Sequence, residues 1–239
     1  MTLLLLLTAC SKDELTKPVE VNLQMLIEQE EVVTARISEK NTLNVEGGRY
    51  LLSGLEFEGY RESGEDYFFS KEFEDGLEAD LQAGRPSAVF AFDMPQGVYQ
   101  RISMALHIKK AEVDDEKEED DDKPFNEDAS LILNGYYTNS REEQIPFIFV
   151  YNFDDTFEYS LPVTGAEEVV SISNGRNTSA KIRFNPSYWL QQVNGRMLQS
   201  ANLIEVEGEP TILISENSNE HIFSLLSSRI EKASDLTFE

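Results

Sequence analysis

Hydrophobic and polar residues alternate with period two along most of this chain, as expected of strands that turn one face to a core and the other to water. The first run is the cleanest: Val19, Val21, Leu23, Met25 and Ile27 are separated by Glu20, Asn22, Gln24 and Leu26. Residues 32–37 continue in β-branched style, Gly47-Gly48 reads as a turn, and residues 50–60 set Leu55, Phe57 and Gly59 against Glu56 and Glu58. Residues 67–73 and 88–92 are further strands, with Gly84-Arg85-Pro86 breaking the pattern between them. Asp93-Met94-Pro95-Gln96-Gly97 combines the fixed φ of Pro with the freedom of Gly and predicts a hairpin. It leads past Tyr99 into Ile102, Met104, Leu106 and Ile108, with Ser103, Ala105, His107 and Lys109 opposite.

Further on, Leu131, Leu133, Gly135 and Tyr137 share a face. Ile145, Phe147, Phe149 and Tyr151 share another, and Ile148 and Val150 behind them predict a strand covered on both sides. A turn at 152–155 leads to Phe157, Tyr159 and Leu161, and residues 167–173 and 179–184 flank Asn174-Gly175, a type I′ hairpin signal. The period then changes. Asn185-Pro186 pairs a cap residue with Pro at the first helical position, so residues 187–193 predict two helical turns, stopped by Asn194-Gly195. Ile222, Leu225, Leu226, Ile230 and Ala233 form one helical stripe over 219–233, capped by Asn217 or Asn219, and 234–239 predict an edge strand. The whole predicts an all-β fold: a two-sheet antiparallel β-sandwich of Greek-key or Ig-like type, spanning 19–239 as one domain, with one or two short peripheral helices near the C-terminus.

Composition narrows the function classes. A formal charge of −25 and a pI near 4.3 argue against nucleic acid, whose phosphates need clustered Lys and Arg. The same charge argues against docking flat on anionic lipid headgroups. Residues 111–123 concentrate it, with nine Asp or Glu relieved only by Lys117 and Lys123; like charges this dense predict a solvated loop between two strands. Calcium needs six to eight oxygens held by a turning backbone, and this run lacks the Gly and the Asp-x-Asp spacing of a calcium loop, so no metal is assigned.

Leu3 to Leu7 followed by Thr8-Ala9-Cys10 resembles the lipobox of bacterial lipoproteins, in which cleavage before the cysteine leaves a thiol that carries lipid. Cys10 is the only cysteine in the sequence, which disfavours a disulfide. Residues 1–9 are expected to be the signal peptide and 10–18 the lipidated tether. Five leucines with no basic residue ahead of them make a short leader, so a start upstream or a truncated signal is expected. Ser11-Lys12-Asp13-Glu14 resembles the acidic export tag of surface lipoproteins from Bacteroides-like bacteria. It implies an outer-membrane, outward-facing lipoprotein, with a periplasm-facing one as the alternative.

The Pro95-x-Gly97-x-Tyr99 corner, the Asn185-Pro186-x-x-Trp189 segment, the Met197-Leu198 pair, Ile214-Ser215-Glu216 and Asn219-Glu220-His221-Ile222-Phe223 together resemble a Bacteroides-like surface lipoprotein family of unknown function with a β-sandwich domain. The resemblance covers most of 45–239, treats the acidic loop as an insertion, and implies a fold and a location. It implies no catalytic residue.

Catalytic signatures are thin. His107 and His221 are the two histidines: one lies on the polar side of a strand, the other in the first turn of the last helix, and both read as surface or capping residues. No Gly-rich phosphate loop joins a strand to a helix, so no cofactor is expected. Paired carboxylates of the glycosidase kind are always available among 45 acids and distinguish nothing. The expectation is therefore a protein that is not an enzyme: a binding or adhesion module, with a glycan or a protein as partner. Tyr60, Tyr67, Phe68, Tyr136 and Trp189 are the aromatic candidates for ligand contact, each weighed against a place in the core. The alternative is a pilus or adhesin subunit that exchanges a strand, with 19–27 as the strand exchanged.

Overall fold

The computed structural model describes residues 17–29, 35–38, 41–110, 124–162, 169–175 and 178–239. Cys10 and the acidic run 111–123 lie outside them. In chain order the strands are β1 (Val19–Ile27), β2 (Ala35–Ser38), β3 (Asn41–Arg61), β4 (Tyr67–Gln82), β5 (Ser87–Met94), β6 (Gly97–Ile108), β7 (Leu131–Thr138), β8 (Gln144–Tyr151), β9 (Asp155–Pro162), β10 (Val170–Ile172) and β11 (Thr178–Phe184). Helices α1 (Pro186–Trp189) and α2 (Gly195–Gln199) follow, then β12 (Leu203–Val206), β13 (Glu209–Ile214), α3 (Glu220–Ser227) and β14 (Ser234–Phe238). The fold is the expected two-sheet all-β sandwich with short helices near its C-terminal end.

The smaller sheet has the order β14-β11-β1-β5. Its period-two strands bury one face almost completely: Val21, Leu23, Met25 and Ile27 of β1 are all core residues. Two ladders depart from the antiparallel expectation, since β1 runs parallel to β11 and β8 parallel to β13. The strand expected to exchange, β1, is hydrogen-bonded on both edges, to β11 and to β5, and so occupies a central position instead of an open one.

The larger sheet is organised by β3, whose 21 residues run through what the sequence reads as a turn. Its first half pairs with β7, from Thr42 to Tyr50, and its second half with β6, from Leu52 to Arg61, while β4 follows its other edge. Gly47-Gly48 thus lies inside a strand, just after a bulge at Glu46 in the ladder to β7. A Cβ on Gly48 would lie 2.2 Å from the carbonyl oxygen of Ile132, so only glycine lets β7 approach there. The sheet forks just beyond, at the register shift between Leu52 and Gly54. The chain leaves one arm at the end of β6 and re-enters the other at β7, so the acidic run connects the two arms of the fork.

Two turns read as hairpins are crossings between sheets. Residues 93–97 join β5, which pairs with β1, to β6, which pairs with β3. Asn174-Gly175 likewise separates β10, paired with β6, from β11, paired with β1 and β14. At the second turn only Gly175 has a positive φ, 90°, whereas a type I′ turn needs it at both central residues. The first corner is clamped by side chains: Tyr99 donates its hydroxyl to the Pro95 carbonyl (2.7 Å), Arg61 donates to the Gln96 carbonyl (2.7 Å), and the Gln96 amide reaches the Lys17 carbonyl (2.8 Å) at the entrance to β1.

Between the sheets Phe57, Phe69, Phe90 and Phe92 stack, with Phe69 and Phe92 nearly parallel at 5.3 Å. The helices close the other end of the core. Asn185 caps α1 as expected, accepting from the Tyr188 amide (2.8 Å). Asn194, read only as a stop, also caps α2 through the amides of Arg196 and Met197. Asn219 precedes α3 in the left-handed region and makes no side-chain cap bond. Its amide instead ties the backbone of Asn202 and Leu213. Val150 is buried behind β8, as its double-faced pattern predicts, against Ala129 and Leu213.

Candidate functional site

Where β4, β3, β6 and β9 lie side by side, the odd-numbered residues of β3 face the core and the even-numbered ones face solvent. Ladder register then sets the composition of the open face. Glu58 lies opposite Phe68 of β4 and Ser103 of β6, and Tyr60 lies opposite Arg101. Phe68 is 60% exposed, the largest value among the exposed large hydrophobic side chains of the described residues. It stands edge-on to Tyr60, with ring centroids 5.9 Å apart and planes at 90°. The Arg101 guanidinium covers a face of the Tyr60 ring at 3.7 Å, and the Tyr60 hydroxyl donates to the Glu58 carboxylate (3.1 Å).

These contacts fix Tyr60 from two sides and leave Phe68 open to a ligand. A cation over a tyrosine at an exposed site is worth about 0.5–1 kcal/mol, enough to bias a rotamer. The result is a rigid platform in which an apolar ring, a guanidinium and a carboxylate lie within one cross-strand neighbourhood. Such a surface can stack a flat or weakly apolar ligand face and hydrogen-bond polar groups around its edge.

The other aromatic candidates separate cleanly. Trp189 is fully buried, donates its indole N–H to the Leu226 carbonyl (3.0 Å) and packs edge-on against Phe149 and Phe184, so it is a core residue and touches no ligand. The cause is the tight Pro-started turn, which drives the ring inward under α3. Tyr67 is half-buried and spends its hydroxyl on the Asp93 carbonyl (2.5 Å); burial first, then the Asp93 charge, raises its pKa. It belongs to the corner and not to the platform. Tyr136 is 37% exposed on β7, opposite Asn44 and Pro146, and belongs to the other arm of the fork.

Of the candidates only Tyr60 and Phe68 meet. Arg101 was not singled out by the sequence, because its proximity to Tyr60 depends on the β3–β6 register; its one signal was its odd-number parity with Ser103 and His107 on the polar side of β6. His107 lies farther along the same face, where Nδ1 meets the Thr156 hydroxyl (2.9 Å) and Nε2 the Glu56 carboxylate (3.4 Å). Both ring nitrogens are engaged by neighbouring strands, so His107 ties β9, β6 and β3 together across their solvent side. His221 is exposed in the first turn of α3. Among the described residues no three His, Cys, Asp or Glu side chains cluster as a metal site would require.

The chain matches no protein-family model, no curated protein and no solved structure.

Proposed function

We propose that this chain is a noncatalytic binding module of the bacterial cell envelope, held at the outer membrane and facing outward through a lipid on Cys10, and that it binds a glycan on the Tyr60–Phe68–Arg101 platform. The observation that carries the reading is the exposure of Phe68 beside a Tyr60 ring already fixed by Arg101 and Glu58. A single exposed ring is ordinary, and what supports contact is its place beside a fixed tyrosine, a guanidinium and a carboxylate. The ring offers its face to the C–H face of a sugar, while Arg101 and Glu58 supply a donor and an acceptor for its hydroxyls. Three β-ladders hold the platform, so little order need be gained on binding.

Lipid anchoring fits the same role. No helix of the described residues is long and apolar enough to cross a membrane. The five-leucine run ahead of Thr8-Ala9-Cys10 supports a lipid tether, and the acidic surface suits a body held above anionic headgroups without lying on them.

A glycan-array screen of the soluble chain starting at Leu15, with Phe68→Ala in parallel, tests the reading. The expected result is saturable binding to one glycan class, reduced about two- to tenfold in Phe68→Ala, the order of one lost stacking contact. A glycan that binds both chains equally would refute the platform, and a blank array for the native chain would refute the glycan.

A further inference from the structure

The larger sheet ends at β12, which pairs with β13 and with no other strand among the described residues. Its free edge has a definite hydrogen-bond pattern. Glu207 and Gly208 both have positive φ, 49° and 85°, so the β12–β13 turn is a two-residue type I′ hairpin flanked by a bonded pair, Val206 and Glu209. Alternation makes Ile204 and Thr211 the next bonded pair and turns the backbone N–H and C=O of Leu203 and Glu205 away from β13. Pro210 agrees: it lies opposite Glu205, where no N–H is called for. No backbone group of the described residues meets Leu203 or Glu205 from the open side. The edge stops at Ala201, whose amide is spent on the Leu198 carbonyl (3.3 Å).

The side chains along this edge are unusual for so acidic a chain. Leu203 is 50% exposed. Ile204 points to the outer face of the sheet, where it packs beside the small cluster of Ala129, Val150 and Leu213. From Ile132 through Tyr136, Pro146 and Ile148 to Ile204, the outward positions of this arm carry no charge. On the other arm they include Glu56, Glu58, Arg101 and His107. An uncharged face on a chain of net charge −25 is one through which two such chains can meet.

We propose that β12 is the contact edge of a two-fold dimer, in which it pairs antiparallel with β12 of a second copy about an axis at Ile204. The register follows from the two outward residues. With Leu203 opposite Glu205 of the second copy, both outward pairs exchange their backbone bonds. Leu203 opposite Leu203 would bring Glu205 against Ala201, whose amide is spent. Glu205 opposite Glu205 would oppose like charges and bring Leu203 against Glu207 in the turn. The first register instead lays the stem of each Glu205 beside an exposed Leu203 and sets the two Ile204 side chains together as the close, unbonded pair. Its axis is perpendicular to the sheet, so the uncharged faces of the two arms join into one. This self-complementarity is what commits the edge to a second copy. β12 has only four residues, well short of the roughly 800 Å² per partner of a stable complex, so the dimer is reversible and is read at high concentration. The glycan platform lies on the other arm of the fork and takes no part in the contact.

The test has two arms, both on the soluble chain starting at Leu15, which lacks Cys10. Sedimentation equilibrium in about 0.5 M NaCl, where like-charge repulsion is screened, follows the mass of the native chain with concentration. The expected result is a rise from the monomer toward twice its mass, weakened at least roughly tenfold by Leu203→Pro, which removes one outward N–H from each copy. The second arm maps the register by air oxidation of single-cysteine variants. Opposed Cα atoms of an unbonded antiparallel pair lie about 4.5 Å apart, within disulfide reach, so Ile204→Cys should cross-link to its own copy. Leu203→Cys and Tyr136→Cys, which the axis does not bring face to face, should cross-link at least roughly tenfold more slowly. A native chain that stays monomeric up to about 1 mM, beyond the range of even weak association, would overturn the proposal. Cross-linking of Leu203→Cys as fast as Ile204→Cys would overturn it too. The mass measurement needs no variant, so a misfolded mutant leaves the test intact.

Discussion

Trp189→Phe isolates what the helical layer contributes to the sandwich. In the native chain the indole is fully buried, its rings lie 5.0 Å from Phe149 and 5.4 Å from Phe184, and its N–H satisfies the Leu226 carbonyl near the end of α3. Phenylalanine keeps one ring and loses the donor. The Leu226 carbonyl keeps the Arg229 amide (3.1 Å), so losing the indole bond costs about 0.5–1.5 kcal/mol, and the unfilled volume of the second ring adds roughly another 1 kcal/mol. The sum, about 1.5–2.5 kcal/mol, is a sizeable part of the roughly 5–15 kcal/mol typical of a folded domain. It corresponds to a fall in Tm of roughly 3–10 °C for a chain of this size. Trp189 is the sole tryptophan, so unfolding must be followed by circular dichroism in urea, with both chains compared at equal m-values. Trp189→Ala should cost more, about 3–5 kcal/mol for the ring alone. A loss below about 1 kcal/mol for Trp189→Phe would refute the buried, hydrogen-bonded indole and return Trp189 to the surface as a ligand contact.

Other consequences follow from the corner, the fork and the buried phenols. Burial pushes the Tyr99 phenol up to about 12, partly countered by Arg61, and raises Tyr50, Tyr151 and Tyr159 as well. A folded-state pKa above the unfolded value near 10 means that the unfolded chain loses its protons first. The stability these phenols contribute is therefore complete below about pH 10 and falls as pH rises through their folded values. Absorbance titration at 295 nm should show an early exposed fraction of the nine tyrosines and a late fraction that appears together with unfolding; a single smooth titration near pH 10 would contradict it. Tyr99→Phe, which deletes the 2.7 Å bond to the Pro95 carbonyl, should lower stability by about 1 kcal/mol in urea melts. Gly48→Ala, which places a methyl 2.2 Å from the Ile132 carbonyl, should cost about 1–3 kcal/mol by overpacking, or split the ladder to β7 in amide-exchange measurements. Cys10→Ala should release the protein from the membrane fraction and abolish palmitate labelling.

The strands were legible wherever one face had to be buried. β1 could be read residue by residue because period two and a single core face leave one register. The helices near the C-terminus were legible from Asn185-Pro186 and from the stripe of Ile222, Leu226 and Ile230. What the chain concealed was pairing. Gly47-Gly48 looks like a turn because glycine serves turns and close strand approaches alike; only the neighbouring β7, whose Ile132 carbonyl fills the missing Cβ, distinguishes them. Residues 93–97 and Asn174-Gly175 reverse or redirect the chain as their chemistry demands, but turn chemistry does not state whether the next strand joins the same sheet. The parallel ladders β1–β11 and β8–β13 join strands far apart in sequence, for which no local signal exists.

The platform was half legible. Tyr67-Phe68-Phe69 must turn its middle residue opposite to its flanks, so exposure of Phe68 follows once Phe69 is placed in the core. Its meeting with Tyr60, and the arrival of Arg101 from β6, depend on ladder registers that composition does not encode. At Trp189 the sequence favours the core over a ligand, and the core is where it lies; what the sequence could not name was the acceptor for its N–H, which is the Leu226 carbonyl.

The most direct test of the proposed binding surface is a two-dimensional NMR titration of the soluble chain with the glycan selected on the array, following amide and aromatic resonances together. The account predicts saturable shifts confined to Glu58, Tyr60, Phe68, Arg101 and their ladder neighbours, with the Trp189 indole signal unmoved. Shifts centred on Tyr136, with the Phe68 ring silent, would contradict it.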